Sequence, residues 1–431
     1  MDEKLQQLEQ ELSKIAVPKE QLEQAHSHAV QKYRIQRRRR KKVVQVVMIA
    51  ALFSLIFTVS VRLSPAFAQT IAKIPGFAPL VEMIAFDKGM EDIIQNDYAE
   101  EIGITQNVNN LTITILSAVA DESGLLLTYR LEAPFDVSTI RFEEIQLQQL
   151  GETLPASIAY SDSPSNENVI EGNFDFIFLE DATLNGDEFE LFIQLNDADQ
   201  TEFTIPFKLS KPLAKSKHYT LNEQVEVDGQ LIIVNQVTIS PLRAEIEFTI
   251  PETNSMRILD FNTVKLIDEK GEEWGRGRSG ISALGSLRDN HYTMFIESNY
   301  FREPKSLTLI IDKIEALEKG KDFIEVDFEK RKVLSVPKEL DVQLEIWTDY
   351  TISATYNVAQ ENHVKDLFTY LIDANGEEVS RSTSTNKSSE ESYQVSGSYT
   401  FEKGFVNPVK LYIANYPQFL DGHIEVKIPL N

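Results

Sequence analysis

Gly275-Arg276-Gly277-Arg278-Ser279-Gly280 has the spacing of the glycine-rich turn that carries backbone amides to a dinucleotide pyrophosphate. That chemistry needs a parallel strand before the turn and a helix opening at its last glycine. Here the stretch lies within β-patterned sequence, so it reads as a hairpin tip whose two arginines form a basic spot in an acidic region. Asp373-Ala374-Asn375-Gly376 begins like a calcium loop, which needs a glutamate at its twelfth position. Ser384 stands there, and a β-turn is the better reading. His218, His291, His363 and His423 are scattered singly, and His26 and His28, two apart, point to different faces of a helix. The chain has no Cys, which excludes disulfides, thiolate zinc sites, iron–sulfur clusters and thiol nucleophiles together. No GxSxG, HExxH or Walker loop occurs. Residues 69–431 hold 61 carboxylates, too many for a catalytic pair to be singled out by spacing. No catalytic, cofactor-binding or metal-binding residue is therefore nominated, and the chain reads as a non-enzyme.

The elements that would position any site fall into compartments of different charge. The chain has 431 residues and a net charge of −25, unevenly distributed. Residues 1–42 carry 11 Lys and Arg against 6 Asp and Glu; residues 43–68 carry only Arg62; the remainder holds −31. Such a body excludes nucleic acid as its partner.

Val43 to Val61 reads VVQVVMIAALFSLIFTVSV, 19 residues without a charge. At ~1.5 Å per helical residue this matches a hydrocarbon layer of roughly 30 Å. A buried core helix is the plainer alternative, but a run of six cations, Arg37, Arg38, Arg39, Arg40, Lys41 and Lys42, directly precedes it. That order predicts a transmembrane helix over 43–63 in the lipid bilayer. The cations act as the topology signal, with the N-terminus cytoplasmic and the body extracellular. Ala66-Phe67-Ala68 is a possible cleavage site after Ala68. The long segment before the arginines and the length of the apolar run argue for a retained anchor.

Within 1–42, Leu5, Leu8, Leu12 and Ile15 fall on one helix face. Pro18 interrupts, and a second helical pattern carries Leu22, Ala25, Ala29 and Tyr33. Two short helices cannot bury a core alone. The stripe Leu5, Leu8, Leu12, Ile15 and Leu22 is therefore the expected partner-binding surface, against the alternative of a solvated tether.

Residues 64–108 read as a helical linker leaving the membrane, with IPGFAPLVEMIAFDKGMEDIIQ as short helices. Beyond Asn109 the pattern is β, and it repeats. Each unit has a strand pair: LTITILSAV with LLLTYRLEA, LIIVNQVTI with RAEIEFTI, VQLEIWT with ISATYNV. An apolar strand then runs into a turn, as in VKLIDEKGEE and YLIDANGEE, and an aromatic strand follows. A closing strand ends each unit: TEFTIPFKL (201–209), DFIEVDFE (322–329) and GHIEVKIPL (422–430). The expected fold is mainly β, with tandem antiparallel sandwich repeats of about seven strands at 109–215, 216–332 and 333–431. Ser380–Ser392 is Ser/Thr-rich and reads as an exposed strand edge or long turn.

Four groups of residues carry a family resemblance. They are Ser64-Pro65-Ala66-Phe67-Ala68, Lys73-Ile74-Pro75-Gly76, Asp87-Lys88-Gly89 and LTITILSAVADESGLLLTYRLEAP. Together they resemble a family of single-pass membrane proteins of Gram-positive bacteria defined by a domain of unknown function. The resemblance covers about 55–135, and 220–330 looks like a companion β domain. Several members resemble anti-sigma factors of extracytoplasmic-function sigma factors. The resemblance implies a sigma factor held by the cytoplasmic N-terminus and an ectodomain sensing the envelope through an unknown ligand. The zinc-type anti-sigma domain, with its His and Cys ligands, is absent. An envelope interaction or structural protein without a cytoplasmic partner is the competing reading.

Overall fold

The computed structural model describes residues 87–275, 283–286, 290–357, 366–389 and 394–430, with backbone alone at 163–165, 285–286 and 388–389. The protein is mainly β, and among the described residues the sheet strands pair antiparallel, with one isolated parallel bridge between Asp121 and Ala214. A short helix, α1 (Lys88–Gln95), precedes the first strand.

Sandwich 1 uses nine strands. One sheet runs β1 (Glu100–Val108), β2 (Leu111–Asp121), β3 (Gly124–Glu132), β7 (Val169–Phe178) and β6 (Ala156–Asn166). The other runs β5 (Glu152–Thr153), β4 (Phe142–Gln149), β8 (Glu188–Leu195) and β9 (Glu202–Lys208). Alternation drives the packing: in β9, Phe203, Ile205 and Phe207 are buried while the residues between them are exposed. Pro206 is tolerated because β9 ends its sheet. Tyr129, fully buried, stacks on Phe174 at 4.4 Å between ring centroids and meets Phe142 edge-on.

β1 lies inside the region read as a helical linker. Its Ile102, Ile104 and Val108 pack against the core, yet its alternate residues are all exposed. Only half of an edge strand needs to be apolar, and Glu100, Glu101, Gln106 and Asn107 mask the pattern.

Sandwich 2 repeats the plan. One sheet runs β10 (Lys217–Val227), β11 (Gln230–Ile239), β12 (Ala244–Thr249), β16 (His291–Ile296) and β15 (Ala283–Ser286). The other begins β14 (Glu273–Gly275), β13 (Met256–Asp268) and β17 (Leu307–Glu318). Its fourth strand comes from far away in the chain. The segment expected to close the third unit, β26 (Ile424–Ile428), pairs with β17 instead, Leu307 opposite Ile428 and Ile311 opposite Ile424. Ile424, Val426 and Ile428 join the core of sandwich 2.

The segment expected to close the second unit makes the reciprocal move. β18 (Phe323–Asp327) pairs with β25 (Val409–Ile413) in sandwich 3. That domain is one eight-stranded sheet folded on itself: β19 (Lys332–Ser335), β18, β25, β22 (Phe368–Ile372), β23 (Glu378–Ser389), β24 (Gln394–Phe401), β21 (Thr351–Asn357) and β20 (Val342–Thr348). The Ser/Thr-rich β23 is thus interior to the sheet, not an edge. It pairs with β22 through Ser380 and with β24 from Arg381 onward, with a bulge at the corner. Sandwich 3 is therefore inserted between β17 and β26 of sandwich 2.

This insertion makes a testable statement. Deleting 421–431 should weaken sandwich 2, because it removes Ile424, Val426 and Ile428, each 5 % exposed or less. At about 1.5–3 kcal/mol per buried side chain the loss is several kcal/mol. Hydrogen exchange followed by mass spectrometry should quicken in β13 and β17 and stay unchanged in β21 and β24. Loss of protection confined to sandwich 3 would contradict the strand assignment.

Candidate functional site

Of the motifs that looked like chemistry, the one at Asp373 resolves into a turn. Asp373 Oδ1 accepts from the amides of Asn375 and Glu377, and Oδ2 accepts from Val406 at 3.0 Å. These amides hold its carboxyl below the usual range and occupy the oxygens a calcium ion would need. Gly376, at φ 83°, closes the turn. Asp268 does the same in sandwich 2, accepting from the amides of Lys270 and Glu272 at 2.8 Å. Gly275 ends β14, while residues 276–282 of the glycine–arginine stretch lie outside the described residues. His218 Nδ1 lies 3.1 Å from Thr238 Oγ1, His423 is exposed beside Glu425, and His363 lies outside the described residues. Among the described residues no group of three or more His, Cys, Asp or Glu could hold a metal ion.

The polar cluster that does form was not picked out by spacing. It sits where α1, sandwich 1 and sandwich 2 meet. Helix α1 starts at Asp87, whose Oδ1 accepts from Met90 N at 3.0 Å. Met90 and Ile93 face Val119 and Leu126 of sandwich 1 and Leu242 of sandwich 2 in one small apolar cluster. Asp92, almost fully buried, takes a two-pronged bond from Arg302, Nε to Oδ2 at 2.8 Å and Nη2 to Oδ1 at 2.7 Å. Lys88 Nζ donates to the Glu273 carbonyl at 2.7 Å. Gly89 is needed for close approach, since a Cβ there would stand 3.0 Å from Ser298 N. Of the residues Asp87-Lys88-Gly89 in the family resemblance, Asp87 thus caps this helix, while Lys88 and Gly89 help to dock it on sandwich 2.

Beneath α1 the two sandwiches are joined by charge. Asp121, at the end of β2, is fully buried. Its Oδ1 accepts from Ser123 N and Oγ, both at 2.7 Å, and its Oδ2 accepts from Leu242 N of sandwich 2 at 2.7 Å. Arg243 reaches back to sandwich 1, with Nη2 2.6 Å from Asp175 Oδ1. Gly124 permits this, because a Cβ there would lie 2.2 Å from the Phe176 carbonyl and 3.4 Å from Arg243 Nη2. Arg243 Nη1 is buried without a hydrogen-bond partner among the described residues.

Burial raises the carboxyls of Asp87 and Asp121 even against the amide bonds they accept. Glu297 is raised by burial and by the nearby Asp87. Glu245 is pushed up to about 7, chiefly by burial; Arg243 opposes the shift, while Asp121 and Glu247 add to it. Burial works against the charge of Arg243, yet Asp175 and Asp121 hold its pKa above the usual value.

A raised carboxyl binds its proton more tightly in the folded state. Stability therefore falls as pH rises from the unfolded value of about 4.5 through the folded value of about 7. Glu245→Gln should remove that slope. With Glu245 only partly shielded from solvent, the gain above pH 7 is about 1–2 kcal/mol after screening, with no gain near pH 4.5. Thermal melts of parent and variant across that range decide it, and parallel curves would show that Glu245 titrates normally.

This arrangement offers no nucleophile–base pair and no metal site; it is a mechanical and electrostatic joint. The expected partner-binding residues Leu5, Leu8, Leu12, Ile15 and Leu22, the topology signal Arg37–Lys42 and the cleavage position Ala68 lie outside the described residues. So does the apolar stretch 43–63. Among the described residues no helix is long and apolar enough to cross a membrane.

Comparison with known families gives two matches. Residues 37–133 match the model described as a domain of unknown function (DUF4179), and residues 216–346 match a family of unknown function (DUF5643). They fall where the resemblance and its companion domain were read. No curated protein matches the chain. Among solved structures, the conserved domain protein from Bacillus anthracis is 14% identical with a TM-score of 0.38, covering 55% of this chain and 84% of that one. An uncharacterized protein from Listeria monocytogenes EGD-e is 8% identical with a TM-score of 0.14, covering 68% of this chain and 29% of its own. The cycloalternan-forming enzyme from Listeria monocytogenes, in complex with a pentasaccharide substrate, is 8% identical with a TM-score of 0.13 and the same coverage. At these TM-scores no shared fold is inferred.

Proposed function

We propose that this chain is a single-pass membrane signalling regulator without catalytic activity. Residues 1–42 hold a cytoplasmic protein, a sigma factor in the anti-sigma reading, and residues 43–63 span the bilayer. The β body lies outside the cell and senses its surroundings. The observation that carries this reading is the order of six cations, 19 uncharged residues and an acidic β body. The docked helix adds support. α1 follows the apolar stretch in the chain and is gripped by both sandwich 1 and sandwich 2. A shift at their joint therefore has a lever through which to act.

Topology is tested first. External protease applied to intact protoplasts should degrade the β body to an N-terminal remnant of about the first 70–90 residues, still membrane-bound. Protection of the body, or a mature protein beginning at Gln69 as the main species, would overturn the anchor.

A further inference from the structure

Between sandwiches 2 and 3 lies a cavity of about 290 Å³, bounded on the sandwich 2 side by Met256, Ile258 and Asn290 and on the sandwich 3 side by Tyr370 and Tyr412. At ~30 Å³ per water it has room for about ten waters, or one six-membered ring with its substituents. It lies beside the first of the two crossings that join the inserted domain to its host. Lys319, which also lines it, follows β17 directly, and Asp322 just beyond anchors Arg257.

Arg257 bolts the two domains together at this place. Its Nε stands 2.6 Å from Asp322 Oδ2, and its Nη2 donates to the carbonyls of Asp322 and Ile413. Its guanidinium also lies over the Tyr412 ring at 5.5 Å. Tyr412 in turn stacks on Tyr370, with ring centroids 5.2 Å apart and planes 8° from parallel. The bolt makes the cavity a preformed space rather than a gap that closes.

The lining selects among ligands by elimination. An anion meets a strongly acidic protein, and the ammonium of Lys319 is already turned to the Glu252 carbonyl at 2.6 Å. A cation finds the Glu252 carboxylate already accepting from Asn290 Nδ2 at 2.9 Å and the Asp322 carboxylate paired with Arg257. A purely apolar molecule would strip water from Arg257, Asn290 and Glu252 and return no hydrogen bonds. What remains is an uncharged ring with apolar faces and hydroxyls around its edge.

We propose that this cleft binds a neutral pyranose sugar, the bound ring touching both domains. The site goes beyond the signalling reading and does not depend on it: sugar binding is expected whether residues 1–42 hold a sigma factor or nothing. For so small a ligand the expected Kd is about 1–10 mM.

The test uses the purified full chain in a zwitterionic detergent that carries no sugar headgroup. Saturation-transfer NMR is recorded with glucose and N-acetylglucosamine, and with glucuronate, glucosamine and benzyl alcohol as anionic, cationic and apolar comparators. Transfer is expected to one or both neutral sugars and to be at least fivefold weaker for every comparator. Met256→Trp, which fills the cavity, should abolish it. Asn290→Gly, at the rim and free to keep the φ of 61° found there, should weaken it severalfold with little change in the melting curve, so the proposal stays testable if the tryptophan variant misfolds. Tyr160→Ala, on β6 of sandwich 1, should change nothing. Absence of transfer to both neutral sugars, transfer undiminished in the folded cavity variants, or a preference for glucuronate, glucosamine or benzyl alcohol would overturn the assignment and leave a water-filled cleft.

Discussion

Replacing Arg243 by alanine is expected to loosen the joint between sandwiches 1 and 2 by about 3–5 kcal/mol, the cost of leaving buried carboxylates without their cation. The Arg243 side chain is 8% exposed and its partner Asp175 18%, so solvent can do little to compensate. Asp121 would keep its amide bonds but lose the neighbouring positive charge. In chemical denaturation the variant should show sandwich 1 unfolding apart from sandwich 2. Backbone exchange at Met90 and Ile93 of α1 should rise with it, since both pack across the same seam. Arg243→Met, which keeps much of the volume, should be nearly as damaging on its own. Combined with Asp175→Leu it should recover much of the loss, because an apolar pair replaces a buried ion pair at little cost. If Arg243→Ala leaves a single transition and unchanged exchange in α1, the sandwiches are held together elsewhere and the joint cannot serve as the lever proposed for it.

The second large effect concerns the apolar stripe of residues 1–42, on the side proposed to be cytoplasmic. Leu8→Asp with Leu12→Asp should release the partner of residues 1–42 by 10²-fold or more, given about 1.5–3 kcal/mol for each leucine withdrawn from an interface. Membrane insertion should be unaffected because the proposed span, 43–63, is untouched. The readout is a pull-down from cytoplasmic extract beside transcript levels. For an anti-sigma factor the double variant should give constitutive expression of the partner's regulon. Aspartate at Gln7 and Gln10, off the stripe, should do little. A double variant that changes neither the bound proteins nor transcription would make the N-terminus a tether and favour the envelope-protein reading.

How much of this was legible in the residues depends on distance along the chain. The strand pairs and closing strands of the three units are legible from alternation, and so are the turns at Gly271 and Gly376, because both signals are local; β1, β6 and β10 are not, their apolar positions being diluted by polar residues. The destination of the two closing strands is not. Ile324-Glu325-Val326 and Ile424-Glu425-Val426 are identical triplets, so periodicity cannot say which sheet edge each one fills. Only the long-range pairing with β25 or β17 distinguishes them. The joint was hidden for the same reason. Asp121 and Leu242 are 121 positions apart, and Arg243 and Asp175 are 68 apart. The signals that were present are slight: an arginine just before the alternating strand Ala244–Thr249, and the Asp87-Lys88-Gly89 triplet, whose small third residue is explained once Ser298 is seen against it.

The interleaved order of the domains also sets a schedule for synthesis. A chain that leaves the ribosome N-terminus first delivers every strand of sandwich 1 before any of sandwich 2, and sandwich 1 can close at once. Sandwich 2 cannot. When β17 emerges, the edge from Leu307 to Ile311 has no neighbour, and an entire further domain must be made before Ile424–Ile428 arrives to cover it. In that interval β18, carrying the same triplet, is the nearest competitor for the open edge. Sandwich 3 must capture β18 with β25 in time, so the domain begun second is finished last. A ribosome stalled within sandwich 3 would leave that edge bare and open to pairing with another chain.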